Sequence, residues 1–179
     1  HTFLPTRTSI LDTRTRKPIP SLENFSLVKD GKPYHASDIN LWGVTFASDD
    51  DTFYATLNTA NKTYLVRGSL ARRRVTTLVE NVECPSLSPD ETRVAFKKRV
   101  LSRTDLWHEY VLDLRTLKET PLAERHSVDD QATWLDDHTL AYALPTQGKV
   151  GSSDLWSVPS DGTGSPHPLI AGASSPAPL

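Results

Sequence analysis

Apolar residues along this chain fall in short runs broken by turn-forming residues, and no stretch of about ten residues keeps a helical period. Near-absence of helix is therefore expected. The clearest run spans Cys84 to Phe96 and reads C-P-S-L-S-P-D-E-T-R-V-A-F. A short apolar strand ends in Leu87, a Ser-Pro-Asp-Glu turn follows, and Val94, Ala95 and Phe96 open a second strand. Pro89 presets the backbone for a turn, and Asp90 can accept hydrogen bonds from nearby amides. The pattern predicts a hairpin.

The hairpin recurs. About 41 residues upstream, Phe46-Ala47-Ser48-Asp49 leads into Phe53-Tyr54-Ala55. About 47 residues downstream, Trp134-Leu135-Asp136-Asp137 leads into Leu140-Ala141-Tyr142. Phe46, Leu87 and Trp134 share one repeat position, and Asp49, Asp90 and Asp137 share another. Two more strands are expected after each hairpin: Tyr64–Leu70 with Val75–Val79, Tyr110–Leu114 with Thr120–Ala123, and Leu155–Val158 with Pro168–Ala171. Four short strands per unit, at a period of roughly 40 to 50 residues, predict an all-β β-propeller of four-stranded antiparallel blades.

The L-S-P-D-E-T-R-V-A-F segment resembles the repeat of the TolB-type propellers, a WD-like repeat with Ser-Pro-Asp where others carry Trp-Asp. V-L-D-L-R-T-L-K-E-T-P-L and D-L-W-S-V-P-S-D-G-T-G are similar to its outer strands. The resemblance covers most of residues 38 to 179 and suits the exported TolB-like proteins of actinobacteria. It implies a protein-binding propeller. Related repeats also form the propeller that gates prolyl-oligopeptidase-like serine hydrolases, which would need a catalytic domain outside this chain. The first and third hairpins lack the Pro of the pattern, which weakens any transfer of TolB's own partners.

The repeat predicts a partial propeller of about three and a half blades, one incomplete domain over 1–179. Residues 8–37 supply the outer strands of a preceding blade and an added hairpin, with Asp30-Gly31 as its tight turn. Thr8–Asp12 and Ile19–Asn24 are those outer strands. Whole blades span 38–81, 82–126 and 127–172, and 173–179 is the inner strand of a closing blade. Residues 1 to 7 carry no pattern. An open arc leaves strand edges uncovered. A partner is therefore expected: another segment or chain that completes the ring.

Composition narrows the classes. The chain has 179 residues and a formal net charge of −2, which argues against nucleic acid as a partner. No apolar run approaches the roughly 20 residues of a membrane helix. One Cys and no Met suit a secreted or extracytoplasmic protein. Cys84 cannot form a disulfide framework or a Cys-based zinc site by itself; it reads as a buried thiol or as half of a disulfide to a Cys elsewhere.

Chemistry is sparse. There is no Gly-x-Ser-x-Gly elbow and no helical His pair for a metal, so no catalytic residue, metal ligand or cofactor is assigned and the chain reads as non-enzymatic. His108 and His126 read as ordinary surface or loop residues. Asp49-Asp50-Asp51 and Asp161-Gly162-Thr163-Gly164 sit where the repeat needs turns. Arg67, Arg72, Arg73, Arg74, Lys97, Lys98, Arg99 and Arg103 read as solvated edges rather than an anion site. The remaining candidate is acidic. Four positions before the repeated Phe46, Leu87 and Trp134 stand Trp42, Glu83 and Asp130, with Asp129 and Gln131 beside the last. An inner strand begins at a propeller's central channel, so Glu83, Asp129, Asp130 and Gln131 are expected at one mouth of it. They could receive a basic peptide or a cation. The simpler alternative is that they cap strand ends.

Overall fold

The computed structural model describes residues 7–100 and 106–177. Arg103, the chain beyond residue 177 and nearly all of the patternless stretch 1–7 lie outside the described residues. The chain divides into two compact units, His1–Asn81 and Val82–Leu179, and each is described by itself.

In the first unit, β1 (Ile10–Asp12) and β2 (Lys17–Ile19) form a two-stranded hairpin. Asp12 closes its turn by accepting hydrogen bonds from the amides of Arg14 and Thr15 at 2.8 and 3.2 Å. The second strand stops well short of the expected Asn24. Pro18 and Pro20 lack the N–H a ladder requires, and residues Leu22–Asn24 form a 3-10 turn instead. Two contacts favour that turn. Leu22 is buried in the core, and the Glu23 carboxylate accepts the backbone N–H of Thr8 at 3.0 Å.

A second hairpin, β3 (Ser26–Lys29) and β4 (Lys32–Tyr34), turns at Asp30-Gly31. Both turn residues have positive φ, 51° and 74°, as a tight primed turn demands. This hairpin is no appendage. The strands β5 (Asn40–Phe46), β6 (Thr52–Thr59), β7 (Lys62–Ser69) and β8 (Arg74–Glu80) form an antiparallel meander. β3 pairs in parallel with β8, extending it to six strands in the order β4-β3-β8-β7-β6-β5. Leu27 opposite Val75 continues the buried apolar stripe across that junction. The added strand also covers an edge that would otherwise present unpaired backbone. Gly68 is fixed by packing: a Cβ there would lie 2.1 Å from the ring of fully buried Phe53.

The second unit holds two four-stranded antiparallel sheets. One contains β9 (Glu83–Leu87), β10 (Arg93–Arg99), β11 (Trp107–Asp113) and β12 (Glu119–Pro121). The other contains β13 (Thr133–Trp134), β14 (Thr139–Pro145), β15 (Ser153–Pro159) and β16 (His167–Ile170). Their first strands, β9 and β13, lie side by side: the Trp134 indole N–H donates to the carbonyl of Ser86 at 2.9 Å. Between the sheets a core forms around Ala95, Val111, Trp134, Leu140 and Tyr142.

The first hairpins of the three sheets share their chemistry with one slip. Asp49 and Asp90 each accept hydrogen bonds from the amide two residues on, at 3.0 and 3.1 Å. Phe46 pairs with Phe53 and Leu87 with Val94, but Trp134 pairs with Leu140, so the third hairpin is one residue shorter. Asp136 therefore takes the turn role, accepting from His138 N at 2.7 Å, instead of Asp137. Asp137, released, accepts the Asp90 amide at 3.0 Å. The aromatic position also diverges. Trp134 is 4% exposed, whereas Phe46 is 46% exposed and leans on Phe53 with ring centroids 6.2 Å apart. Residues 171–177 carry no strand; Thr133 donates its hydroxyl to the Pro176 carbonyl at 3.0 Å. Pro176 has no N–H to extend a ladder there.

Candidate functional site

The acidic positions singled out in the sequence lie in the second unit, and a lysine stands among them. Glu83 opens β9, and Lys97 sits opposite it on β10. On the other side of the ladder Lys97 faces Glu109 of β11. Directly paired residues share a face of the sheet, so Glu83, Lys97 and Glu109 form one acid-base-acid row across three strands. Asp129, from the segment between β12 and β13, reaches in to pair with the Lys97 ammonium at 2.5 Å. The same ammonium stands 4.9 Å from the centre of the Trp107 ring, and the Arg99 guanidinium lies 5.8 Å from that ring. Attraction of cations to the ring face adds to the hold on Lys97.

Electrostatics differ along the row. Burial of Lys97 works against its charge, but the hydrogen bond to Asp129 together with the electrostatic pull of Cys84, Asp129 and Glu83 raises its pKa. Burial pushes the Glu83 carboxyl up, against the pull of Lys97 and Arg99. Glu109 is more extreme. It is 1% exposed, neither carboxyl oxygen has a hydrogen-bond partner among the described residues, and burial pushes its pKa up to about 8 despite Lys97. Asp129 is the accessible member, with a side chain 73% exposed.

The four expected residues thus separate. Glu83 and Asp129 flank Lys97. Asp130 is tied to the backbone of β14, its Oδ2 accepting the Ala143 amide at 3.0 Å, and its charge helps raise the Glu109 pKa. Gln131 ties the segment to β9 by donating its side-chain N–H to the Pro85 carbonyl at 2.9 Å. Lys97, Glu109 and Trp107 were missed by sequence reasoning. Lys97 was placed on a solvated edge, yet it is 8% exposed. Alternation carries the signal that finds it: Lys97 lies two residues after the core residue Ala95, and Glu109 two before the core residue Val111. His108 is also no ordinary surface residue, because its Nε2 is buried without a hydrogen-bond partner among the described residues. His126 is exposed, and its Nδ1 meets Glu124 at 2.7 Å.

Beside the row, Glu124 is buried and fully engaged. One oxygen accepts the amides of Arg125 and His126, and the other accepts the Tyr142 hydroxyl at 2.6 Å. Burial opposes ionisation of Glu124, but these hydrogen bonds hold its pKa below the usual value. Among the described residues no group of three or more His, Cys, Asp or Glu has the arrangement to hold a metal ion.

Comparison with solved structures places this architecture. TolB from Acinetobacter baumannii superposes over 91% of this chain with a TM-score of 0.64 at 14% identity. The β-propeller domain of the Trilobed protease from Pyrococcus furiosus, which has an open velcro topology, matches 73% of it with a TM-score of 0.57 at 18% identity. The fold is a partial β-propeller. Each four-stranded sheet corresponds to a blade. An acylaminoacyl peptidase also matches, over 69% of this chain, with a TM-score of 0.52 at 16% identity. The chain spans 43% of the Trilobed protease domain, 37% of TolB and 24% of the peptidase. No protein-family model matches the chain, and no curated protein does. No helix among the described residues is long and apolar enough to cross a membrane.

Proposed function

We propose that this chain is part of an exported, non-enzymatic β-propeller scaffold that binds another protein. The row at Glu83 and Asp129 receives a basic segment of that partner at the mouth of the channel. The observation that carries this reading is Lys97. It is buried between Glu83, Glu109 and Asp129, and its ammonium is taken by Asp129. Asp129 remains open to solvent. A Lys or Arg side chain of a partner meets an exposed carboxylate oxygen there. Export is supported by the absence of Met and the single Cys. The proposed partners include another segment or chain that completes the propeller.

The second reading is the gating propeller of a serine hydrolase whose catalytic domain lies outside this chain. The structural likeness to an acylaminoacyl peptidase and to a tricorn protease, the latter with a TM-score of 0.50 over 87% of this chain, favours it. Fold alone does not choose between the two.

Calorimetric titration of a lysine- and arginine-rich peptide tests the first reading. Wild type should bind saturably, and the double variant Glu83→Gln with Asp129→Asn should lose binding while keeping the wild-type circular dichroism spectrum, with a lower melting temperature because buried Lys97 loses its carboxylate partner. Absence of binding to wild type, or equal binding to both proteins, contradicts the basic-segment site.

A further inference from the structure

The first unit carries a second charged feature, of opposite sign, that the row in the second unit does not use. A groove of about 440 Å³ is lined by Arg67, Arg72 and Arg74, together with Asp51, Ser69 and Thr76. Register brings the arginines together. Arg67 on β7 faces Thr76 on β8, and Ser69 faces Arg74. Arg67 and Arg74 therefore stand diagonally on one face of the blade, about 7 to 8 Å apart, within reach of one ligand.

Arg72 comes from the turn between the two strands, and that turn is pinned. Asp51 accepts the Ala71 amide at 2.7 Å and the Ser69 hydroxyl at 2.8 Å. The Ser69 hydroxyl oxygen in turn accepts the Arg72 amide at 3.2 Å, and Leu70 and Arg73 close the turn at 3.3 Å.

The guanidinium groups point their donors at no protein acceptor among the described residues. None of the three makes a side-chain hydrogen bond or an ion pair with a described residue. The carboxylates nearby are already occupied. Asp51 holds the turn, and Asp49, whose charge Arg67 feels, takes the amides of Asp51 and Thr52 and the Thr52 hydroxyl. Three exposed positive charges thus face the single negative charge of Asp51 in the groove, which leaves a net positive excess there. Such an arrangement costs free energy that a bound anion would return.

We infer that the Arg67–Arg72–Arg74 groove is a binding site for a phosphate group, free or carried as a monoester. A carboxylate is saturated by one guanidinium fork, whereas three forks match the several acceptor oxygens and the higher charge of phosphate. The patch is confined to one groove on a chain of net charge −2. It fits one or two phosphates rather than a nucleic-acid backbone, which needs an extended basic track.

Titration with inorganic phosphate and, separately, with O-phosphoserine, followed by amide chemical shifts at constant ionic strength, tests this. Saturable shifts are expected in residues 67–76, and the tighter of the two ligands identifies the source of the phosphate. The double variant Arg67→Gln with Arg74→Gln should bind about tenfold more weakly or worse. Arg115→Gln, an exposed arginine of the second unit, should leave binding unchanged. No saturable shift with either ligand, shifts reproduced by chloride alone, or wild-type binding in the double variant would each overturn the assignment.

Discussion

Lys97 and Glu109 face each other across the β10–β11 ladder, yet burial drives Glu109 further toward its neutral form than any other carboxyl of the row. An adjacent ammonium ordinarily favours a carboxylate. Here Asp129 holds the Lys97 ammonium, and both Glu109 oxygens are buried without hydrogen-bond partners among the described residues. Desolvation wins over the neighbouring charge.

Glu109 therefore makes stability fall as pH rises. Its pKa moves from an ordinary 4.5 to about 8 on folding, so the folded state holds a proton that the unfolded state has released. Its contribution is fully present below about pH 4.5 and is lost progressively as pH rises toward 8, by a few kcal/mol at most. Depressed carboxylates such as Asp90 act in the opposite sense and at lower pH, above which their contribution is retained. Denaturant unfolding at pH 5 and pH 9 should show lower stability at pH 9, and Glu109→Gln should remove most of that difference. A wild type equally stable at both values contradicts the assignment.

Trp134 and Phe46 occupy equivalent repeat positions with unequal burial. Trp134→Ala should destabilise by about 3 to 5 kcal/mol, since it empties a buried site and leaves the Ser86 carbonyl without its indole donor. Phe46→Ala should cost about 1 kcal/mol or less, because Phe46 is nearly half exposed. Thermal melts of both variants check the contrast; equal losses would contradict it.

Gly68→Ala places a methyl group against the Phe53 ring. A loss of about 1 to 3 kcal/mol is expected from this overpacking. Phe53→Leu in the same chain should recover part of it, so the two changes should be less costly together than their sum. Additive losses in chemical denaturation would show that the contact is not the cause.

The repeat, its strands and its turns were legible because they rest on local chemistry. Asp30-Gly31 demands positive φ, and Ser88-Pro89-Asp90 closes its own hairpin, whatever surrounds them. What the sequence concealed depends on partners far along the chain. Leu22 leaves the strand pattern because a core awaits it and Glu23 meets Thr8. The β3–β4 hairpin was visible, but its parallel pairing with β8 was not, since parallel register has no turn to announce it.

The candidate site was half legible for the same reason. Counting from the repeat brought Glu83 and Asp129 to notice, but the count could not say which acids meet Lys97 and which bond to backbone. Asp130 bonds to the Ala143 amide within β14, and Lys97, hidden among neighbouring basic residues, centres the row.

The central claim is that the propeller receives a basic segment at this row. Mapping amide chemical-shift changes on addition of a lysine- and arginine-rich peptide tests it most directly. The expected result is a set of saturable changes at Glu83, Lys97, Trp107, Glu109 and Asp129, absent in the Glu83→Gln, Asp129→Asn variant. Changes confined to other parts of the blades, or none at all, would contradict it.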